Sequence, residues 1–360
     1  MHTATHARRE RLRERTNGYT VTPAQYLWFA YAALGALTLI VLSGAAVRLT
    51  GSGLGCPTWP KCYGNVYPPL NTHAVIEFSN RLLTAPVSIA AGAAWLAAVR
   101  RRPYRRDLAR LAALLPLGVL GQAVLGGFTV KGALDYGWVM GHFALSMLIL
   151  LAAVLLLWRA GHEPDERDER ALEPGGPRGL ARSAATARRT SGDRTLVWAV
   201  RGLAAFGALT IFAGTAATAA GPHAGGSPGQ RINRLSLDGR GTMDFVIHRH
   251  AEIAFLFSLA AVALWWLARR RGASSGVQRP LTVLCLLLAL QGAVGLVQYE
   301  TQLPTELVWV HVGLACGAWL AVLWAACAAG PLAPRNARNP AERALEGSLR
   351  PVAPLKFPGN

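Results

Sequence analysis

Long apolar runs alternate along this chain with short clusters of Arg. Crossing the hydrocarbon core of a bilayer takes about 20 mostly apolar residues in a helix. Six segments meet that length without a formal charge: 26–47, 111–130, 136–158, 202–220, 280–299 and 307–330. Two more, 82–99 and 253–268, are short, but polar sequence able to continue a helix precedes each. Those preludes, Glu77-Phe78-Ser79-Asn80-Arg81 and His248-Arg249-His250-Ala251-Glu252, read as the outer turns of helices 2 and 6. The pattern predicts an all-α integral membrane protein of eight transmembrane helices. The first span starts too late, and lacks the small-residue cleavage site, to be a simple signal peptide.

Charge sharpens the picture. The chain has 37 Lys+Arg against 19 Asp+Glu, a net charge of +18, yet only 16% of its residues are charged. A soluble domain carries about 25%, so the charges must be segregated. With the N-terminus cytoplasmic, the inside segments hold 28 Lys and Arg. The outside segments hold 8: Arg48, Lys61, Arg81, Lys131, Arg231, Arg234, Arg240 and Arg249. The positive-inside rule then puts both termini in the cytoplasm of a multi-pass plasma-membrane protein. The basic loops read as this topology signal with attraction to anionic membrane lipid, not as a nucleic-acid surface.

An internal repeat divides the chain. Gln122-Ala123-Val124-Leu125-Gly126 matches Gln291-Gly292-Ala293-Val294-Gly295 at an offset of 169, and His142 meets His311 at the same offset. Gly35-Ala36-Leu37-Thr38 recurs as Gly207-Ala208-Leu209-Thr210. Asn80-Arg81 corresponds to His248-Arg249 at an offset of 168. The expected organisation is a cytoplasmic tail over 1–25, a four-helix half over 26–158 and a flexible cytoplasmic linker over 159–194. A second four-helix half over 195–330 and a tail over 331–360 complete it. Two pseudo-symmetric four-helix bundles follow, related by an axis near the membrane normal.

Ionisable residues inside spans are costly and are functional candidates by default. His142, His248 and His311 all fall toward the outer ends of their helices. Two His at one depth on different helices, facing a bundle interior, suit axial ligation of a haem iron, and nearby Arg can pair with propionates. His248 and His311 are therefore the expected axial pair of the second half. His250 points to another face and reads as a residue beside the site or at the interface; His223, in a loop, is a weaker candidate. The first half has Asn80 where the repeat predicts His. Its iron would be five-coordinate through His142, or would recruit His73. Glu77, one turn before Asn80, could move protons beside a porphyrin or simply favour the helix start. No further cluster suggests zinc.

The outer loop Gly51-Ser52-Gly53-Leu54-Gly55-Cys56-Pro57-Thr58-Trp59-Pro60-Lys61-Cys62 faces the oxidising side, where a Cys pair can close. So small and exposed a ring is expected to be labile. Cys285, Cys316 and Cys327 lie within spans as small core hydrophobes.

These strings together resemble the haem A synthase family. The match runs through Val47-Arg48-Leu49-Thr50-Gly51-Ser52-Gly53-Leu54, the Cys56…Cys62 loop with Trp59-Pro60, and Glu77 to Leu83. It continues through Gln122…Gly126, His142, His248-Arg249, Gln291…Gly295 and His311. The resemblance implies an oxidoreductase that converts the C8 methyl of haem O to the formyl of haem A, for cytochrome c oxidase. It implies a haem b cofactor on His248 and His311, and substrate haem on His142 with Asn80, Arg81 and Arg48 nearby. Glu77 would be the catalytic carboxylate, and Cys56 and Cys62 a disulfide. Haem O synthase and an electron donor are the implied partners, and a homo-oligomer is compatible. Asn80 departs from the family's commonest pattern, which has His there. A di-haem b-type cytochrome exchanging electrons with quinone is the main rival and predicts bis-His ligation in both halves. A small-molecule transporter, the third reading, would need broken helices and a midplane polar site.

Overall fold

The computed structural model describes residues 19–163, 193–237 and 241–330. The expected N-terminal tail up to residue 18, the C-terminal tail, Arg240 and nearly all of the expected linker lie outside them. Eight helices fill the described residues: α1 (Pro23–Leu49), α2 (Thr72–Arg100), α3 (Arg106–Lys131), α4 (Tyr136–Gly161), α5 (Arg194–Ala220), α6 (Thr242–Arg270), α7 (Ser275–Glu300) and α8 (Thr305–Ala328). All eight are long and apolar enough to cross a membrane, and the protein is a multi-pass membrane protein. The only extended pairing among these residues is two isolated bridges.

Local sequence sets the helix starts. Thr22 and Gln25 form a reciprocal capping box with Pro23 in the first turn of α1, which satisfies two free N–H groups. The Asn71 side chain accepts from Ala74 N at 2.8 Å to start α2, and Asp193 accepts from Thr195 N at 3.0 Å to start α5. Helix α2 starts at Thr72 and α6 at Thr242, so the polar preludes are helical and lengthen both short spans.

Each half closes into a ring. Helices α1–α2, α2–α3, α3–α4 and α4–α1 are packed neighbours, as are α5–α6, α6–α7, α7–α8 and α8–α5. Helix α2 therefore stands across its ring from α4, and α6 across from α8. Small residues permit the close approach that lipid alone does not drive; Ala91, Ala94 and Ala98 of α2 and Ala112 of α3 are fully buried. Leu39, Leu117, Phe255 and Leu286 are exposed, as suits helices facing acyl chains.

The halves meet through α1–α8, α4–α8 and α4–α5. Tryptophans tie the seam: Trp309 Nε1 donates to Leu42 O at 3.0 Å and Trp319 Nε1 to Met147 O at 3.1 Å. At the cysteine-loop end, the α1–α2 and α5–α6 loops clasp one another. Gly53 N donates to Gly225 O at 2.9 Å and Ser227 Oγ to Gly51 O at 2.7 Å. A Cβ on Gly51 would stand 3.0 Å from Gly226 O, and its φ of +67° is left-handed, so glycine is required there.

Candidate functional site

Both rings hold a histidine in a slot cut by glycine. In the first half, His142 of α4 packs on Gly126 of α3, where a Cβ would lie 3.4 Å from its Cε1. In the second half, His311 of α8 packs on Gly295 of α7 with 3.3 Å to the same atom. The imidazole Nδ1 of each is buried without a hydrogen-bond partner, and so is Oε1 of the neighbouring Gln122 and Gln291. The Gln122 Nε2 donates to His142 O at 3.0 Å and to Ser146 Oγ at 2.7 Å, which pins α3 to α4 at the histidine. Buried polar atoms are nearly always paired; here the same two atom types go unpaired at matched places in the two halves.

Opposite His311 across the second ring stands His250, not His248. The ring centroids of His250 and His311 are 6.3 Å apart, and His250 Nδ1 is also buried and unpartnered. His250 sits against Gly214 of α5, where a Cβ would approach its Cε1 to 3.0 Å. His248 is exposed. Its Nδ1–H donates to Asp244 O at 2.7 Å, and its ring meets Tyr299 edge-on. Arg249 is likewise exposed and pairs with Glu252 at 2.6 Å. Two residues apart on a helix, His248 and His250 occupy different faces, and the inward face is that of His250.

The first-half counterpart of His250 is Asn80 of α2. Its Oδ1 accepts from Ser43 Oγ of α1 at 2.7 Å, much as His250 meets α5 at Gly214. The alternative residue His73 is engaged elsewhere, its Nδ1 and Ser52 Oγ sharing a hydrogen bond of 2.9 Å. His223 is held by Leu303 O at 2.7 Å.

Over the first ring lies the cysteine loop, closed by a Cys56–Cys62 disulfide with both sulfurs' residues fully buried. Glu77, 5% exposed, reaches into it: Cys56 N donates to Glu77 Oε2 at 2.6 Å. The other carboxylate oxygen pairs with Arg81. Arg81 donates in turn to Cys56 O and Thr58 O, each at 2.8 Å. From the same loop Trp59 lies on Gly127, next to the Gly126 that receives His142; a Cβ on Gly127 would come within 3.1 Å of the indole. Arg48 is half-buried against Gly225, its Nε unpartnered. It stands at the clasp between halves, while Arg81 is committed to the loop. Among the described residues no three His, Cys, Asp or Glu gather as a metal site.

A family profile described as "Cytochrome oxidase assembly protein" matches residues 27–327. The chain belongs to this family. The match takes in almost the whole of the eight helices, with all three histidines that pack on glycines. A heme A synthase of Lysinibacillus sphaericus is 37% identical over 147 residues, 39% of this chain and 46% of the relative. One from Bacillus licheniformis is 33% identical over 137 residues, 37% of this chain and 44% of its own length. The chain thus spans under half the length of these curated relatives. With a heme A synthase of Symbiobacterium thermophilum it aligns over 79% of this chain and 88% of the relative, at 28% identity.

Sequence reasoning passed over the inward histidine and the work of the two Gln and three Gly residues. Their signal was present: both Gln-x-x-x-Gly strings recur at the offset that pairs His142 with His311.

Proposed function

We propose that this chain is a haem A synthase, an oxidoreductase that takes the C8 methyl of haem O to a formyl group by successive hydroxylations. The product serves cytochrome c oxidase. The observation that carries this is the unequal pair of sites. One ring brings two histidines to 6.3 Å, edge to face, and the other carries Asn80 on the helix that stands across the ring from His142.

The second half, 195–330, is the resident cofactor site, with haem b held by His250 and His311. The donor set fits. His250 and His311 would hold it: both offer imidazole, a ligand type suited to haem iron, and their ring centroids lie 6.3 Å apart within the bundle. The glycines that receive the two rings, Gly214 and Gly295, support the same reading. When bound there, haem b supplies one-electron transfer at low-spin iron.

The first half, 26–158, is the substrate site. His142 holds the haem O iron from one side. Asn80 is a poor ligand and leaves the other side open, which a site that must admit oxygen requires and a bis-His electron carrier does not. This favours the synthase over a di-haem cytochrome. Gln122 fixes the backbone of His142, and Trp59 closes the rim above it. Glu77 works from that rim, its carboxylate held between Cys56 N–H and Arg81; it is the carboxylate best placed to hold or pass a proton near the substrate. Arg48 offers unspent donors for a propionate at the clasp.

The basic loops support a plasma-membrane location with both termini cytoplasmic and the cysteine loop outside. Haem O synthase as supplier and a separate electron donor complete the reaction. The test is haem analysis of purified protein expressed with a haem O-forming enzyme, by pyridine haemochrome and mass. Haem b together with O- and A-type haem supports the synthase; haem b alone sinks it.

A further inference from the structure

Between the halves, α4, α5 and α8 part to leave a crevice of about 940 Å³, near the upper end of ordinary ligand pockets. Leu151 and Leu155 of α4, Ala208 and Phe212 of α5 and Leu323 of α8 line it. Two of its lining residues are charged and both are basic: Arg159 near the end of α4 and Arg201 near the start of α5. Among the described residues no carboxylate lines it. The opposite side of the seam is shut by α1 packed on α8, so the gap belongs to this side alone. From Arg201 to Thr215, α5 follows the crevice for about 21 Å at 1.5 Å per residue, longer than the ~15 Å of hydrocarbon in one leaflet.

We propose that this crevice holds an anionic phospholipid, an acyl chain lying along α5 and α8 and its phosphate between Arg159 and Arg201. Its described lining contains none of the histidines, glutamines or cradling glycines of the two haem sites, though Phe143 and Thr215 adjoin His142 and Gly214 in sequence. An apolar furrow of this length, half open to the bilayer, has to be filled by something flexible and apolar. The two guanidiniums at its linker end, where the chain's basic clusters gather, add the requirement for a negative head. Arg201 spends one donor on Gly330 O at 3.2 Å and keeps others of its five. Two guanidiniums at one mouth suit a phosphate better than a zwitterionic or neutral head, because each N–H···O⁻ bond is charge-assisted. A lipid seated there completes the contact between α4 and α5 and fastens the two halves to each other.

The experiment uses the full chain purified in mild detergent, with bound lipid extracted and identified by mass. In parallel, thermal unfolding is followed in nanodiscs of phosphatidylcholine alone and with added phosphatidylglycerol. The wild type is expected to retain about one phosphatidylglycerol-class lipid per chain through washing, and to unfold several degrees higher in the mixed discs. Arg159→Gln with Arg201→Gln should cut retained anionic lipid about tenfold and remove the shift, while Lys at both positions keeps both. Ala208→Trp, which fills the crevice and spares the arginines, should also lower retention. Wild type that retains no lipid, retains phosphatidylcholine as readily, or carries a prenylated quinone instead overturns the proposal. Undiminished anionic lipid in the double Gln variant does so as well. The nanodisc comparison needs no variant, so a misfolded mutant leaves it intact.

Discussion

The amide N–H of Cys56 donates to the carboxylate of Glu77 at 2.6 Å, joining a residue of the disulfide ring to one on the first turns of α2. Arg81 closes the triangle by pairing with Glu77 and donating to Cys56 O. The loop, the carboxylate and the guanidinium are one mechanical unit, mounted over the ring that contains His142. A carboxylate so placed sets the loop's position and carries charge to the rim of the site.

Glu77→Gln separates those two duties. The amide keeps an oxygen for Cys56 N–H but gives up the charge that holds Arg81. Substrate haem should still bind, while conversion to haem A falls by about 100-fold, the low end for loss of an acid–base group. Extracted haems quantified by mass check this. Unchanged haem A yield would strip Glu77 of its chemical role and leave it an anchor. Loss of bound haem O would mean that the anchor itself shapes the site.

The three histidines of α6 and α8 give a sharper test. If His250 and His311 hold haem b as proposed, His250→Ala or His311→Ala should each remove its low-spin spectrum. His248→Ala should leave it intact, since that ring is exposed and bonded to its own helix. Optical and EPR spectra of the three variants decide it. A normal spectrum in His250→Ala with a lost one in His248→Ala would reverse the assignment.

Which histidine faces inward was not legible in the chain. The dipeptide His248-Arg249 imitates Asn80-Arg81 at an offset of 168, whereas the residue across from His311, His250, stands at an offset of 170 from Asn80. Periodicity separates faces of a helix but does not say which face the other helices cover; that took the ring order, in which α6 lies across from α8 and packs on Gly214. The spans were legible because bilayer crossing demands a length and an apolarity that no other element shares. The Cys56–Cys62 pair, closed as a disulfide, was legible because reactive residues stand out against such spans, and His142 and His311 stand out as candidates for the same reason. Glu77's partners were not. Its hydrogen bond reaches 21 residues back to a loop amide, and a backbone donor leaves no mark in a sequence. The clasp through Gly53 and Gly225 was hidden for the same reason.

The glycine slots carry their own prediction. A Cβ on Gly126 would make ordinary contact with His142 Cε1 at 3.4 Å, and one on Gly295 would meet His311 Cε1 slightly tight at 3.3 Å, so Ala is admitted at both with little or no shift. A branched side chain is not. Gly126→Val should displace haem from the first half alone, and Gly295→Val from the second half alone, with the helices themselves retained by circular dichroism. Haem content per chain, resolved by type, reads the outcome. Loss of both haems from either variant would show that the slots are not separate.

Asn80 is where the two halves differ most, and it can be made to match. His142→Ala should remove substrate haem while leaving haem b in place, since the rings close independently. Asn80→Ala should be milder, because the amide contributes a hydrogen bond with Ser43 rather than an axial bond. Asn80→His reverses the asymmetry by offering a second imidazole across from His142, as His250 is offered to His311. Should that imidazole reach the iron, the first site becomes six-coordinate. The low-spin signal should then rise toward two haems per chain, and haem A production should fall as the open side closes. Removing the Ser43 hydroxyl with Ser43→Ala in that background frees the ring from its neighbour and should strengthen the new signal. An Asn80→His variant that makes haem A at the wild-type rate with an unaltered spectrum would place residue 80 away from the iron, and the open coordination side would then need another explanation.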